Sequence, residues 1–339
     1  MRRLSLEVVS LSGLPVELAL ELGRLRAKRI ARAIEFWDRL LAKKFRGRRD
    51  VLRTLEQSFF RAACDYAPQY VSEIEAMAEG AGVPFRDLFR LNCTELHTYA
   101  DEKCTTLIFP VQTKQGRRIL VAHNEDWDPK RSDVFILRAA LPGVSYVIVA
   151  YDGYLPGVSC GMNSAGLVHA VNFLKPADRR AGLPRIFITH HLVTAPNIDD
   201  CLKWIRGAKR AFGQSIHLAQ GNRYVGIELT AKHMAIRRPK LPTAHSNHYL
   251  ARSLDSEHQS PTQSSLLRYQ TATRLLREGK NACEILSDQS DHPYSIWREA
   301  DHPEDPAATL VMAMLQTGDE KIEVYRCRPD RSKGKAIRL

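Results

Sequence analysis

The chain has 339 residues, 44% of them hydrophobic and 26% charged, a composition typical of a soluble globular protein with enough apolar material for a large core. Its formal net charge is +12, but basic residues are spread along the chain among acidic ones, which favours a basic surface suited to small anions over a nucleic-acid site. No apolar stretch approaches the roughly 20 residues of a membrane span, and the start lacks the apolar core of a secretory signal.

The cysteines indicate a reducing compartment. There are seven of them, an odd number, without a C-x-x-C pair. Such spacing is typical of free thiols rather than of a disulfide framework. We therefore expect a cytoplasmic protein.

The first hundred residues show the periodicity of helices. Apolar residues recur at helical spacing within residues 15–37, 51–60 and 70–78, with charged residues between them. This pattern predicts amphipathic helices. We interpret residues 1–103 as a helical unit.

Beyond residue 104 the pattern changes to short β-rich runs separated by turn residues. The predicted strands are residues 105–111, 118–122, 134–141, 146–151, 215–220, 224–229, 233–237, 309–315 and 321–327. The predicted helices are residues 185–193, 198–208 and 264–277. Strands that follow strands favour antiparallel pairing. We expect an α+β protein with two mainly antiparallel sheets and helices outside them.

Cys104 stands at the start of the first of these strands, directly after the polar segment 99–103. A nucleophile in this position is the arrangement of enzymes that cleave their own chain. The same residue then supplies the attacking thiol and, once the preceding bond is broken, an α-amine that acts as base. The alternative is a buried structural cysteine that packs as a small hydrophobe.

Polar residues at strand ends are further candidates. Asp126, in the run His123-Asn124-Glu125-Asp126-Trp127, is either part of a polar turn or the acceptor that orients the amine of Cys104. Asn247 is either a turn residue or an amide donor to an oxyanion. His245 and His248 form a His-x-x-His pair that lacks a third zinc ligand.

The segment around residues 157–172 holds two more candidates. Asn172 lies in a strand that returns from the turn at residues 163–166, from which it could present its backbone N–H to the site. Ser159 lies in a G-x-S-x-G pattern, but a turn and a strand follow it where a serine hydrolase requires a helix.

Taken together, these motifs resemble peptidase family C45 of the N-terminal nucleophile (Ntn) superfamily, the family of acyl-coenzyme A:6-aminopenicillanic acid (isopenicillin N) acyltransferases. The matching segments span nearly the whole chain. They are Gly13-Leu14-Pro15-Val16-Glu17, Leu91-Asn92-Cys93-Thr94-Glu95, Cys104-Thr105-Thr106, Asn124 to Trp127, Asn163-Ser164-Ala165-Gly166, His245-Ser246-Asn247-His248 and Ser295-Ile296-Trp297-Arg298.

The resemblance implies a four-layer αββα fold and a zymogen that cleaves itself between Lys103 and Cys104. Residues 1–103 would then be a pro-segment that stays associated with the catalytic part, residues 104–339. It further implies a role for each candidate: Cys104 as nucleophile, Asp126 as partner of its amine, Asn247 and the backbone of Asn172 as oxyanion donors, and Arg298 as an arginine near the site.

Two departures from the family pattern bear on the activity. Lys103 precedes the scissile bond where the fungal enzyme has glycine, and residues 305–310 lack an arginine that the penicillin enzyme has there. The second departure argues against penicillin biosynthesis. We expect a hydrolase or acyltransferase that acts on small-molecule N-acyl amides or acyl-coenzyme A thioesters through a thioester on Cys104. It would need no cofactor or metal and bind neither nucleic acid nor membrane. The alternatives are a serine hydrolase using Ser159 and an uncleaved binding protein of the same fold.

Overall fold

The computed structural model of the protein describes residues 6–97, 103–128, 134–257, 260–303 and 306–339. Most of the polar segment predicted to precede the nucleophile, residues 99–102, lies outside the described residues, and so does residue 305.

The N-terminal part is mainly helical, as predicted. It contains β1 (Val8–Ser12), α1 (Pro15–Lys44), α2 (Arg49–Tyr66), α3 (Pro68–Ala81), α4 (Phe85–Asn92) and α5 (Thr94–His97). Proline occupies the first helical position of α1 and of α3, where its missing N–H is not needed. The helices α1 and α3 cross closely at Gly80, where an added Cβ would lie 2.0 Å from the carbonyl oxygen of Leu20.

The remainder of the chain is built on strands. They are β2 (Lys103–Thr113), β3 (Gly116–Trp127), β4 (Val134–Leu141), β5 (Val144–Tyr151), β6 (Cys160–Asn163), β7 (Leu167–Leu174), β8 (Gly213–Gln220), β9 (Arg223–Leu229), β10 (Met234–Arg237), β11 (Thr243–His245), β12 (Ala308–Gln316), β13 (Lys321–Tyr325) and β14 (Lys335–Arg338). The helices among them are α6 (Arg185–Thr194), α7 (Ile198–Gly207), a 3₁₀ helix (Arg252–Glu257), α8 (Gln263–Arg277) and α9 (Ala282–Leu286).

The strands form two sheets. An eight-stranded sheet has the order β1-β4-β5-β6-β7-β8-β9-β10, and a six-stranded sheet has the order β11-β2-β3-β12-β13-β14. The pairing within both sheets is antiparallel except between β1 and β4. The prediction of mainly antiparallel sheets is confirmed, and β1 adds an unpredicted parallel strand from the helical part.

The sheets face each other, with β2 and β3 packed against β7. The helices α6 and α7 cover the outside of the eight-stranded sheet, and α8 and α9 cover the outside of the six-stranded sheet. The predicted α+β architecture of four layers, αββα, is therefore confirmed. In the described ranges, no helix combines the length and the apolarity that crossing a membrane requires.

Buried polar contacts tie the N-terminal helices to the part of the chain that follows Cys104. Arg26 forms a salt bridge to Asp152 with side chains 2% and 0% exposed. His190 contacts Glu73 at 2.9 Å. Burial alone would lower the pKa of His190, but the carboxylate of Glu73 and the carbonyl of Pro156 together outweigh burial and raise it. Asn92 donates to the carbonyl oxygen of Gly153 at 2.8 Å. The two parts thus share one interior.

Candidate active site

The β2–β3 hairpin positions Cys104. In the register of this pair Lys103 lies opposite Asp126, Cys104 opposite Glu125 and Thr106 opposite His123. Side chains alternate between the faces of a strand, so the side chains of the second and third pairs point toward the eight-stranded sheet. Asp126 points to the other face, toward α8. The hairpin therefore returns beside Cys104.

The backbone of Cys104 is held on both sides. Its N–H donates to Oδ1 of Asn247 at 3.0 Å, and its carbonyl oxygen accepts from Nη1 of Arg268 at 2.5 Å. The Nη2 of Arg268 donates to the same Oδ1 of Asn247 at 2.7 Å. One arginine therefore connects Cys104 to the predicted oxyanion donor, Asn247.

Sequence reasoning missed Arg268. It is fully buried on α8, and burial lowers its pKa while the charges of Asp126 and Cys104 oppose that shift. The signal was present in the helix, because Arg268 lies four residues after Ser264 and four before Ala272, on the buried face. A charge on the buried face of an amphipathic helix is expensive unless it is paired.

The backbone and the side chain of Asn247 are each held by a hydrogen bond. Its N–H donates to Oγ of Ser265 at 2.9 Å, and its Nδ2 donates to the carbonyl oxygen of Phe173 at 3.1 Å. A side-chain amide nitrogen carries two hydrogens, so one remains for a substrate oxygen. The structure places Asn247 next to Cys104; its oxyanion role stays a prediction.

Asp126 and Arg298 form a buried pair on the α8 side of the sheet. Oδ1 of Asp126 accepts from Thr309 at 2.7 Å, and Oδ2 lies 3.5 Å from Nε of Arg298, whose Nη2 donates to Ser264 at 2.5 Å. Burial raises the pKa of Asp126, although the charges of Arg298 and Arg268 act to lower it. Burial, with Arg268 adding to it, lowers the pKa of Arg298 to about 9.

The predicted contact between Asp126 and the nitrogen of Cys104 is not made in the uncleaved chain, where that nitrogen donates to Asn247. Asp126 is nevertheless next to it in register, opposite Lys103. Its role as partner of the amine stays a prediction for a cleaved enzyme.

A second network surrounds the thiol. Sγ of Cys104 lies 3.9 Å from Oε2 of Glu125, which lies 3.0 Å from Nε2 of His123. Tyr151 donates to Oε1 of Glu125 at 2.8 Å. Thr106 contacts Nδ1 of His123 at 2.9 Å. Sequence reasoning placed His123 and Glu125 in the polar run before Trp127 but assigned a role to neither, although strand alternation opposite Cys104 selects both.

Asn172 joins this network through its side chain. Its Oδ1 accepts from Oγ1 of Thr106 at 2.7 Å, and its Nδ2 has no hydrogen-bond partner among the described residues. The sequence predicted a role for its backbone N–H instead. The observed contact connects the thiol network to β7 of the facing sheet.

The structure also bears on a metal site. In the described part of the chain, Cys104, His123 and Glu125 each bring a ligand atom within 4.8 Å of the others. The same atoms make the contacts of the network around the thiol. Of the His-x-x-His pair, His245 contacts Glu228 at 3.1 Å.

Two other features lie apart from Cys104. Ser159 is buried directly before β6, which continues through a turn into β7, so the strand-to-helix turn of a serine hydrolase is missing there. A cavity of about 850 Å³ is lined by residues of α1, α3, α6 and β4. It includes Tyr146 of β5, whereas Tyr151 of the same strand points to Glu125 on the opposite face.

The two facing sheets between helices define an αββα protein with the Ntn hydrolase fold, and Cys104 lies at the start of a central strand. The chain belongs to the family described as acyl-coenzyme A:6-aminopenicillanic acid acyl-transferase, which it matches over residues 111–331. The predicted resemblance is confirmed, and the matched range begins after Cys104.

Individual proteins are similar over most of the chain. The Beta-alanyl-dopamine/carcinine hydrolase of Drosophila melanogaster is 25% identical over 305 residues, which are 78% of this chain and 78% of that protein. Among solved structures, Penicillin V acylase from Agrobacterium tumefaciens matches with a TM-score of 0.45 and 13% identity, covering 70% of this chain and 86% of that one.

Proposed function

We propose that the protein is a cysteine Ntn enzyme that cleaves its own chain between Lys103 and Cys104 and then transfers acyl groups from N-acyl amides to water or to an amine. The observation that carries this proposal is the setting of Cys104 at the start of β2. Its backbone is held by Asn247 and Arg268, and its thiol lies beside Glu125. Membership of an acyltransferase family supports the same chemistry.

In the cleaved enzyme the α-amine of Cys104 has an ordinary pKa of about 7.7 to 8.0, so part of it is neutral near pH 7. The amine takes the proton of the thiol while sulfur attacks the acyl carbonyl, and Asp126 orients the resulting ammonium. The free hydrogen of Asn247 stabilises the oxyanion, a contribution of roughly 3 to 4 kcal/mol. The amine of the substrate leaves with a proton, and water or a second amine resolves the thioester.

The similarity to a hydrolase of Beta-alanyl-dopamine and carcinine suggests which substrates to assay first. These are N-β-alanyl amides of aromatic amines, followed by other N-acyl amides and by acyl-coenzyme A thioesters with amine acceptors. No cofactor enters this chemistry, because the thiol, the amine and the amide donor all come from the chain.

The two fragments are expected to stay together after cleavage. The buried pairs Arg26–Asp152 and Glu73–His190 each join a residue before the scissile bond to one after it. Separating the fragments would expose the apolar core that they share, at a large cost in free energy.

The test is the intact mass of the purified protein, with N-terminal sequencing of any fragments. We expect two fragments in the wild type, the larger one beginning Cys104-Thr105-Thr106, and a single chain in Cys104→Ala. Cys283→Ala, which changes another unpaired cysteine, is the control and should cleave like the wild type. A wild-type chain that stays whole on prolonged incubation would contradict the proposal and favour an uncleaved binding protein.

A further inference from the structure

We propose that Glu125 is the base that starts self-cleavage in the intact chain. This inference rests on the proposed function, since it concerns the first step of the cleavage at Cys104. It assigns the intact chain and the mature enzyme two different bases for the same thiol.

The intact chain lacks the base of the mature enzyme. Before cleavage the nitrogen of Cys104 belongs to the peptide bond with Lys103. A backbone nitrogen in a peptide bond donates a hydrogen bond and does not accept one, and this N–H donates to Oδ1 of Asn247 at 3.0 Å. Another group has to take the thiol proton before sulfur can attack.

Glu125 is placed to do so. It lies opposite Cys104 in the register of β2 and β3, is 6% exposed, and brings Oε2 to 3.9 Å from Sγ. The neighbouring carboxylate of Asp126 points to the other face of the strand, where it is held by Thr309 and Arg298. The thiol therefore faces one carboxylate of this strand and not the other.

The contacts behind Glu125 keep it available as an acceptor. Thr106 donates its single hydrogen to Oδ1 of Asn172 at 2.7 Å, so it accepts at its 2.9 Å contact with Nδ1 of His123. With Nδ1 protonated, the hydrogen bond between Nε2 of His123 and Oε2 of Glu125, 3.0 Å apart, needs a second proton. We place this proton on Nε2, so that Oε2 is the acceptor. That proton balances the buried negative charge, and Tyr151 binds the other oxygen at 2.8 Å.

The proposed step balances in protons and bonds. The thiol of Cys104 gives its proton to Oε2 of Glu125, and sulfur forms a bond to the carbonyl carbon of Lys103. The bond from that carbon to the nitrogen of Cys104 then breaks, and the nitrogen takes the proton that Glu125 held. The product is a thioester between Lys103 and the Cys104 sulfur, with a free α-amine. Water hydrolyses the thioester to the Lys103 carboxylate and regenerates the thiol.

The first arm of the test measures self-cleavage. A general base typically accelerates a reaction by about 10² to 10⁴, so Glu125→Gln should cleave at least about 100-fold more slowly than the wild type, as followed by intact mass after cell-free synthesis. Glu323→Gln, a change of an exposed glutamate in the same sheet, is the matched control and should cleave at the wild-type rate. Wild-type cleavage by Glu125→Gln would overturn the inference alone.

The second arm distinguishes a base from a merely structural contact by the pH dependence of self-cleavage. A thiolate forms without a base as the pH rises past the ordinary cysteine pKa of about 8.5, so the deficit of Glu125→Gln should shrink at least about tenfold between about pH 7 and 9.5. Glu125→Asp, which keeps a carboxylate, should cleave faster than Glu125→Gln at about pH 7. A deficit of Glu125→Gln that stays the same across this range would show that Glu125 only positions the thiol and would overturn the inference. A wild type that never cleaves would overturn the proposed function itself.

Discussion

The buried salt bridge between Arg26 and Asp152 yields a quantitative prediction for Asp152→Asn. Arg26 donates to Asp152 through Nε at 2.5 Å and through Nη2 at 3.0 Å. The guanidinium also contacts Glu7 at 2.7 Å and lies 4.3 Å from the ring centre of Phe135. Burial disfavours its charge, but the two carboxylates more than offset this and raise its pKa.

Asp152→Asn removes the charge of Asp152 and keeps its shape. The buried guanidinium of Arg26 then has Glu7, whose side chain is 46% exposed, as its remaining carboxylate. Breaking a buried ion pair from one side costs about 3–5 kcal/mol, and the remaining contact places the expected loss near the lower end, about 3 kcal/mol. That is a change of roughly a hundredfold in the folding equilibrium.

The assay is denaturant unfolding in a Cys104→Ala background, where the chain is expected to stay in one piece. The free energies of unfolding are compared when both proteins show the same slope of free energy against denaturant concentration. Asp199→Asn is the control, because Arg223 binds Asp199 through a bidentate contact as well, at 2.8 and 2.7 Å, but on the surface. We expect no measurable loss there, because exposed pairs contribute little. A loss below about 1 kcal/mol in Asp152→Asn would refute the reasoning from burial.

Three further predictions concern the site and its surroundings. Arg268→Met should slow self-cleavage at least about 100-fold, because the guanidinium binds both Asn247 and the carbonyl oxygen of Cys104. The rate is followed by intact mass, and cleavage at the wild-type rate would contradict this prediction. Asn247→Ala should lower kcat, counted per mole of self-cleaved chain, about 10² to 10³ with little change in KM; an effect on KM alone would contradict an oxyanion role. Burial, with the charge of His123 adding to it, lowers the pKa of His169 to about 3. The unfolded chain therefore takes up a proton below about pH 6.5 that the folded chain does not, and stability falls as pH drops from there toward 3. His169→Phe should lose about 2 kcal/mol less than the wild type between pH 7 and 5, and equal losses would contradict the assignment.

The sequence indicated most of the fold because its strands and helices carry strong local patterns. The hairpin of β2 and β3 is an example, since a turn with Gly116 at φ 101° separates two β-rich runs. The strand β1 was missed because its partner, β4, lies far along the chain and pairs with it in parallel. Leu25 is one of the apolar residues within the predicted helix of residues 15–37, yet it is 56% exposed, because the core-facing side of α1 is formed by residues such as Leu18 and Leu22.

The site was predictable where motif and local pattern coincide. Cys104 and Asn247 were named from their positions at strand ends, and the structure brings them together. Arg268 and the role of Glu125 were missed because both depend on contacts between separate segments: α8 against β2 in one case, and the register of β2 with β3 in the other. A single sequence does not specify such contacts before its strands are paired.

The most direct test of the central claim, that Cys104 carries the acyl group as an N-terminal nucleophile, is the mass of the large fragment after rapid mixing with an N-β-alanyl amide and acid quenching. The account predicts an increase equal to the acyl group, located on the peptide that begins with Cys104 and removed by hydroxylamine, as expected for a thioester. Turnover of the substrate with no adduct on Cys104, or with the acyl group on another residue such as Ser159, would contradict it.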